Sequence, residues 1–177
     1  MSDTPIDAAL IDGSAPKTSD ELLAMLADLG IDAPTLDHQP VYTVAEAAAL
    51  RPQLPGVHTK NLFLRNRKKR MWLVTLLADR QVDLKELGAR IGAGRVSFGS
   101  PQRLMQYLGL TPGAVSPLAV VNDVGGSVTL VIDAAVLAGP PVQVHPLTNA
   151  RTTGLAPDDL LRFAESVGHP AQVVELD

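Results

Sequence analysis

The run from Met71 to Ala78, MWLVTLLA, constrains the fold of this chain more than any other feature. Read as a strand, its side chains alternate between two faces, and both faces are apolar. A strand of that kind needs cover on each side, so it belongs in the middle of a sheet with layers packed above and below. The segment before it, Lys60 to Asn66, reads as a partner strand, joined through a basic turn at Arg67–Lys69.

Helix signals surround this pair. Thr18 with Glu21, and Thr43 with Glu46, have capping-box spacing, and each precedes an apolar run at helical spacing or an alanine-rich one. Gly30 closes the first of these helices, and Pro52 stops the second. Asp83 opens a third helix that ends near Gly92. Ser100 followed by Pro101 opens a fourth, and Gly109 closes it. Pro157 with two aspartates starts a fifth, through about Ser166. Short strands are expected at Thr35–Val41, Val96–Phe98, Leu118–Val121, Val128–Ile132, Val142–His145 and Val173–Leu176. Gly125–Gly126 should form a hairpin turn between the third and fourth of these. Helices and strands mix without βαβ alternation, which predicts an α+β fold. The chain reads as one domain over residues 18–177, preceded by a variable lead-in, 1–17.

Composition narrows the chemistry. With 177 residues and 46% hydrophobic residues the chain can bury a core, but only 3% are aromatic, so that core is aliphatic. There is no cysteine, which excludes a disulfide scaffold, a thiol nucleophile and cysteine-ligated metal. The four histidines show no helical metal-site spacing, so no metal and no cofactor is expected. No stretch has the length and apolarity of a membrane span, and Met1–Pro16 carries three aspartates and no basic residue, unlike a signal peptide. The expectation is a soluble cytoplasmic protein.

Nucleotide-binding, serine-elbow and zinc-helix motifs are absent. Four segments remain that could carry function. A Pro-Gly turn at 55–56 delivers Thr59, Lys60 and Asn61 to the mouth of a strand, where polar groups line pockets; a solvated loop is the bland alternative. Leu110–Leu118 holds two prolines and Gly113 within six residues, fixing a loop whose backbone N–H groups could cradle an oxyanion or a ribose, or simply a rigid turn. The segment 144–153 is dense in donors and acceptors, with His145, Asn149 and Thr152 able to shape a pocket or to cap turns. Arg65, Arg67, Lys68, Lys69 and Arg70 place five of the chain's fifteen Lys and Arg residues in six positions, a spot suited to phosphates on a chain of net charge -4, or a solvated tip.

Together these segments resemble the YbaK/prolyl-tRNA synthetase editing-domain family, most closely its free-standing Ala-tRNA(Pro) deacylases. The resemblance is carried by YTVAE at 42–46, LPGVHTKNLFL at 54–64, VDLK at 82–85, Ser97–Phe98, LGLTPGAVSP at 108–117, Asn122–Asp123 and HPLTN at 145–149, in family order over about residues 18–176. It implies a mixed, partly barrel-like sheet with flanking helices. It implies a trans-editing hydrolase that cleaves the ester between mischarged alanine and the terminal adenosine of tRNA(Pro), with the tRNA acceptor end as partner, prolyl-tRNA synthetase as a possible second, and neither membrane nor DNA. By the same resemblance Lys60, Asn61 and Gly113 are catalytic. Thr59, Ala114, Val115, Ser116, Pro117, His145 and Asn149 bind substrate, and the Arg65–Arg70 cluster, with Arg95 or Arg103, touches RNA. Family members acting on cysteine or serine, and a non-catalytic tRNA-binding module, are the competing readings.

Lys60 is more suited to a cation than to a base. Lowering its pKa from about 10.4 to about 7 would take roughly 4 kcal/mol of differential burial, and nearby phosphate pushes the other way.

Overall fold

In the computed structural model, which describes residues 8–176, the apolar run is the buried strand its sequence requires. We label the strands and helices in chain order. Strand β3, Met71–Leu77, pairs antiparallel with β2, Val57–Asn66, and parallel with β5, Val128–Asp133. Its odd residues Met71 and Leu73 enter one hydrophobic cluster, and its even residues Trp72, Val74 and Leu76 enter another, so both faces are covered. The larger cluster lies under α1, Ser19–Asp28, α4, Pro101–Leu108, and α5, Pro157–Ser166; the smaller lies under α3, Leu84–Arg90, and the C-terminal Leu176.

The remaining strands are β1, Thr35–Asp37, β4, Val96–Phe98, β6, Val142–Val144, β7, Arg151–Leu155, and β8, Gln172–Val174. The eight strands form one mixed sheet in the order β1-β7-β6-β2-β3-β5-β8, with β4 pairing β2 off that path. Helix α2, Val44–Leu50, completes the helical set, giving the α+β architecture expected.

The expected helix starts at Thr18, Asp83 and Ser100 are found with capped first turns, and Gly109, at φ +65, closes α4. Several expectations need correction. Leu118–Val121 is not a strand but part of a 3-10 turn, Pro117–Asn122, buried throughout. The run is apolar because it is surrounded on every side, not because it alternates. Gly125–Gly126 therefore joins that turn to β5 and makes no hairpin. The donor-rich segment 144–153 is not all loop: its residues 151–153 belong to β7, which pairs with β1 and β6. The first strand stops at Asp37 rather than Val41, and the last runs 172–174. At α2 the capping box is only half made: Thr43 Oγ1 accepts from Glu46 N–H, whereas the Glu46 carboxylate takes Thr43 Oγ1 and the Tyr42 N–H. Of the expected lead-in, 1–7 lie outside the described residues. In the remainder Leu10 is buried, the Ile11 N–H donates to the Gln106 carbonyl, and the Lys17 N–H donates to Asn122.

One topological detail positions everything that follows. Along one edge β2 has two different neighbours: parallel β6 at Val57 and His58, and antiparallel β4 at Leu64–Asn66. Between them, residues 59–62 face an opening in the sheet. Gly56 makes the entry possible, since its φ is +106 and a Cβ there would lie 2.2 Å from the Pro141 carbonyl oxygen.

Candidate active site

A small cleft of about 80 Å³ occupies this opening. Its walls come from β2 (His58, Thr59, Asn61), from β6 and the residue after it (Gln143, Val144, His145), from Thr152 on β7, and from the segment around α2 (Val41, Leu50, Arg51). Thr59, Lys60 and Asn61 thus lie inside β2, which begins at Val57, and not at its first residues. The Thr59 hydroxyl donates to the Gln143 carbonyl at 2.7 Å and ties the two diverging strands together.

Asn61 links the cleft to the proline-bounded loop. Its Nδ2 donates to the Val115 carbonyl at 3.2 Å, and its Oδ1 accepts from the buried Thr75 hydroxyl at 2.6 Å. The loop holds a short 3-10 turn at Pro112–Ala114, and Ser116 Oγ caps the next turn by accepting the Leu118 N–H. Ala114, Ser116 and Pro117 are buried. Gly113 lies against Asn149: a Cβ there would be 3.1 Å from Asn149 Nδ2. Asn149 in turn donates to the Val41 carbonyl at 3.3 Å, so loop, turn and cleft rim form one connected collar.

Lys60 is placed differently. Consecutive strand residues point to opposite faces. Asn61 shares the face of Phe63, in the larger cluster, and Lys60 that of Leu62 and Leu64, in the smaller. Its ammonium donates to the Arg80 carbonyl just beyond β3. The structure thus brings Thr59, Asn61, Val115 and His145 to the cleft and its immediate border, and holds the Lys60 ammonium on the other face, beside His58 and near the Arg51–Asp79 ion pair at 2.9 Å.

His145 sets the cleft's polarity. Its Nδ1 lies 2.8 Å from the Arg151 carbonyl, an acceptor only, so Nδ1 carries the proton and Nε2 keeps a lone pair. Burial holds its pKa below the ordinary 6.5, only partly opposed by that hydrogen bond, and the ring is neutral at pH 7. The His38 ring centroid is 6.3 Å away; His38 donates through Nδ1 to the Gln39 carbonyl, and its Nε2 is hydrogen-bonded to the Thr152 hydroxyl. Gln143 is a further polar residue of the wall. Its Nε2 donates to the Pro55 carbonyl at 2.7 Å, whereas its Oε1 is buried and, among the described residues, has no partner. Gln143 was not anticipated, although a lone polar residue in the apolar strand VQV is a visible signal.

The basic tip is at the far end of β2. Asn66, the one uncharged residue in the cluster, organises it: Oδ1 accepts the N–H groups of Lys68 and Arg70, and Nδ2 donates to Ala93. Arg67, Lys68, Lys69 and Arg70 are exposed around this turn, and Arg95 lies next to it because Val96 pairs with Asn66. Arg103 is in the first turn of α4, away from this pairing.

A split mixed sheet, with a neutral imidazole in the wall of the split, defines a small α+β domain. The chain belongs to the aminoacyl-tRNA editing domain family, a family of hydrolases that act on aminoacyl-tRNA, whose model matches residues 38–163. It is 38% identical to the Prolyl-tRNA synthetase associated domain-containing protein 1 of Mus musculus, over 89% of this chain and 95% of that one. It is also 38% identical to the Prolyl-tRNA editing protein ProX of Acetoanaerobium sticklandii, over 88% of this chain and 95% of the other. A crystal structure described as a candidate trans-editing enzyme for prolyl tRNA synthetase superposes with a TM-score of 0.67 at 18% identity, covering 92% of this chain and 100% of that one, which establishes the shared fold. Among the described residues no helix is long and apolar enough to cross a membrane.

Proposed function

We propose that the protein is a trans-editing deacylase for tRNA(Pro) mischarged with alanine. The observation that carries this reading is the neutral imidazole of His145 in the cleft wall, whose Nδ1 is tied to the Arg151 carbonyl and whose Nε2 keeps its lone pair. The α-ammonium of an esterified amino acid is a donor that suits it. Val41, Leu50 and Val144 line the same cleft and offer apolar contact to a small side chain. On this reading the apolar wall accepts a methyl group and turns away a prolyl ring by overlap, the kind of second sieve that a proline-activating enzyme needs against alanine.

In the reaction, water adds to the ester carbonyl, the oxyanion collapses, the bond to the terminal ribose oxygen breaks, and that oxygen takes up a proton. The products are alanine and tRNA. The ester is already activated by the adjacent ammonium and ribose hydroxyl, so the protein's task is to place the water and stabilise the oxyanion. The backbone N–H groups of Gly113, Val115 and Ser116, in the loop held to the cleft through Asn61, are the donors assigned to that purpose; the Ala114 N–H is taken up by the Thr111 carbonyl. Lys60 contributes as a cation. Two residues from His58 on the same face, it raises the positive potential where the last phosphates of the RNA arrive. The exposed Arg67–Arg70 tip and Arg65 engage acceptor-stem phosphates, and prolyl-tRNA synthetase supplies the mischarged RNA.

The test is deacylation of purified Ala-, Pro-, Cys- and Ser-tRNA by the wild type and by Lys60→Ala. Fast release of alanine, negligible release of proline, and a raised KM for the tRNA in Lys60→Ala are expected. Equal rates on Ala- and Pro-tRNA(Pro) would refute the sieve, faster release of cysteine or serine would reassign the substrate, and full activity in Lys60→Ala would remove Lys60 from the reaction.

A further inference from the structure

Tyr42 is one of only two tyrosines in a chain with 3% aromatic residues, and its side chain is 76% exposed, so it contributes almost nothing to the core. Its backbone, by contrast, is held on both sides. The preceding Val41 carbonyl accepts from Asn149, the Tyr42 N–H donates to Glu46 at 3.4 Å, and Thr43 caps α2 immediately after. Val41 lines the cleft, which puts the tyrosine one residue out from the cleft wall, at the mouth. Facing the ring across that mouth is Gly113, which has no side chain. A Cβ there would stand 3.9 Å from Tyr42 Cδ1. The result is a rigidly mounted aromatic surface, open to solvent, beside the loop proposed to hold the oxyanion.

The geometry points to a binding role for this ring: we propose that Tyr42 is the platform on which the 3′-terminal base of the RNA stacks. This rests on the function proposed above. An aminoacyl group inside the cleft is joined by its ester to the terminal ribose, and the base on that ribose must then lie at the cleft mouth. Stacking on an aromatic face is the usual way in which proteins hold an unpaired terminal base, and it requires the ring but not the hydroxyl. The absent side chain at Gly113 leaves that edge of the ring uncovered, and the outer face of the ring is open to solvent. Tyr42 acts here as a substrate-positioning residue that recognises the nucleoside, separately from the amino-acid pocket around His145.

Three substrates separate this role from a structural one: alanyl-tRNA, alanine ethyl ester, which has no base, and an uncharged RNA hairpin ending in CCA, followed by binding. Tyr42→Ala is expected to raise KM for alanyl-tRNA about tenfold with kcat nearly unchanged, to weaken hairpin binding by a similar factor, and to leave ethyl ester hydrolysis at the wild-type rate. Tyr42→Phe should match the wild type on all three, as should Val124→Ala, which trims another exposed apolar residue. Wild-type behaviour of Tyr42→Ala toward both RNAs would overturn the proposal. So would an equal loss on the ethyl ester, which would mark Tyr42 as part of the collar only. If the wild type hydrolyses neither ester, the deacylase reading fails, and hairpin binding alone still decides the platform.

Discussion

At the scale of single residues, His145 makes the sharpest prediction. Burial lowers its pKa, and the ring acts as an acceptor only while neutral. The folded protein therefore resists protonation of this ring while the unfolded chain accepts a proton at the ordinary value of 6.5. In this pH window stability must fall as pH drops below that value, by the linkage between proton binding and folding. The pH profile of kcat/KM for alanyl-tRNA should stay flat through the usual histidine range and decline only below it. In His145→Asn, which keeps a donor for the Arg151 carbonyl, the acid limb should change. A profile centred at the ordinary histidine pKa would contradict the buried neutral ring. The same scale shows what the sequence hid. Lys60 and Asn61 are adjacent letters, and a period of two places them on opposite faces of β2. That separation could have been read from the strand assignment alone. The orphan oxygen of Gln143 could not, because it depends on where Pro55 and Gly154 fall around it.

At the scale of elements, the cleft exists because β6 leaves β2 after two residues of pairing, and Gly56 sets that junction. Gly56→Ala puts a Cβ into the Pro141 backbone and asks an L-residue to adopt φ +106. We expect a loss of about 2 kcal/mol or more in urea unfolding, with kcat/KM for alanyl-tRNA falling further than stability alone explains, because β2 and β6 are pushed apart at the cleft. Unchanged stability would mean that the strands separate freely there. Elements with local punctuation were legible: Thr18 and Glu21, Ser100 and Pro101, and Gly109 each mark a boundary through contacts within a few residues. Elements defined from a distance were not. The run 118–121 is apolar whether it is a strand or a tight helical turn, and periodicity cannot separate the two over four residues. Strand β7 is written in Arg, Thr and Gly, and only its neighbours β1 and β6 make it a strand.

Across the whole molecule, the cleft and the basic tip stand at two ends of one strand. Asn61 to Asn66 spans about 17 Å at the rise of an extended chain. That is the reach of a few unpaired nucleotides, so under the proposed function an RNA end in the cleft would bring the adjoining duplex to the tip. On a chain of net charge -4, binding then depends on where the positive charge is gathered rather than on its total. Replacing Arg67, Lys68 and Lys69 with glutamine should weaken tRNA binding and flatten its salt dependence by about one unit of slope per lost contact, leaving hydrolysis of alanine ethyl ester intact. An unaltered salt slope would show the tip to be only a solvated turn.

The gap along β2 carries one more consequence. A stretch of strand with no neighbour on one side is ordinarily an invitation for a foreign strand to add itself, the first step toward aggregation. Here the segment bordering the gap begins at Pro112 and ends at Pro117, and prolines have no amide hydrogen with which to continue a ladder. The loop that is tied to β2 beside the cleft is therefore also a guard. A chain that lost it would gain a wider entrance together with a naked edge on which its own copies could zip together.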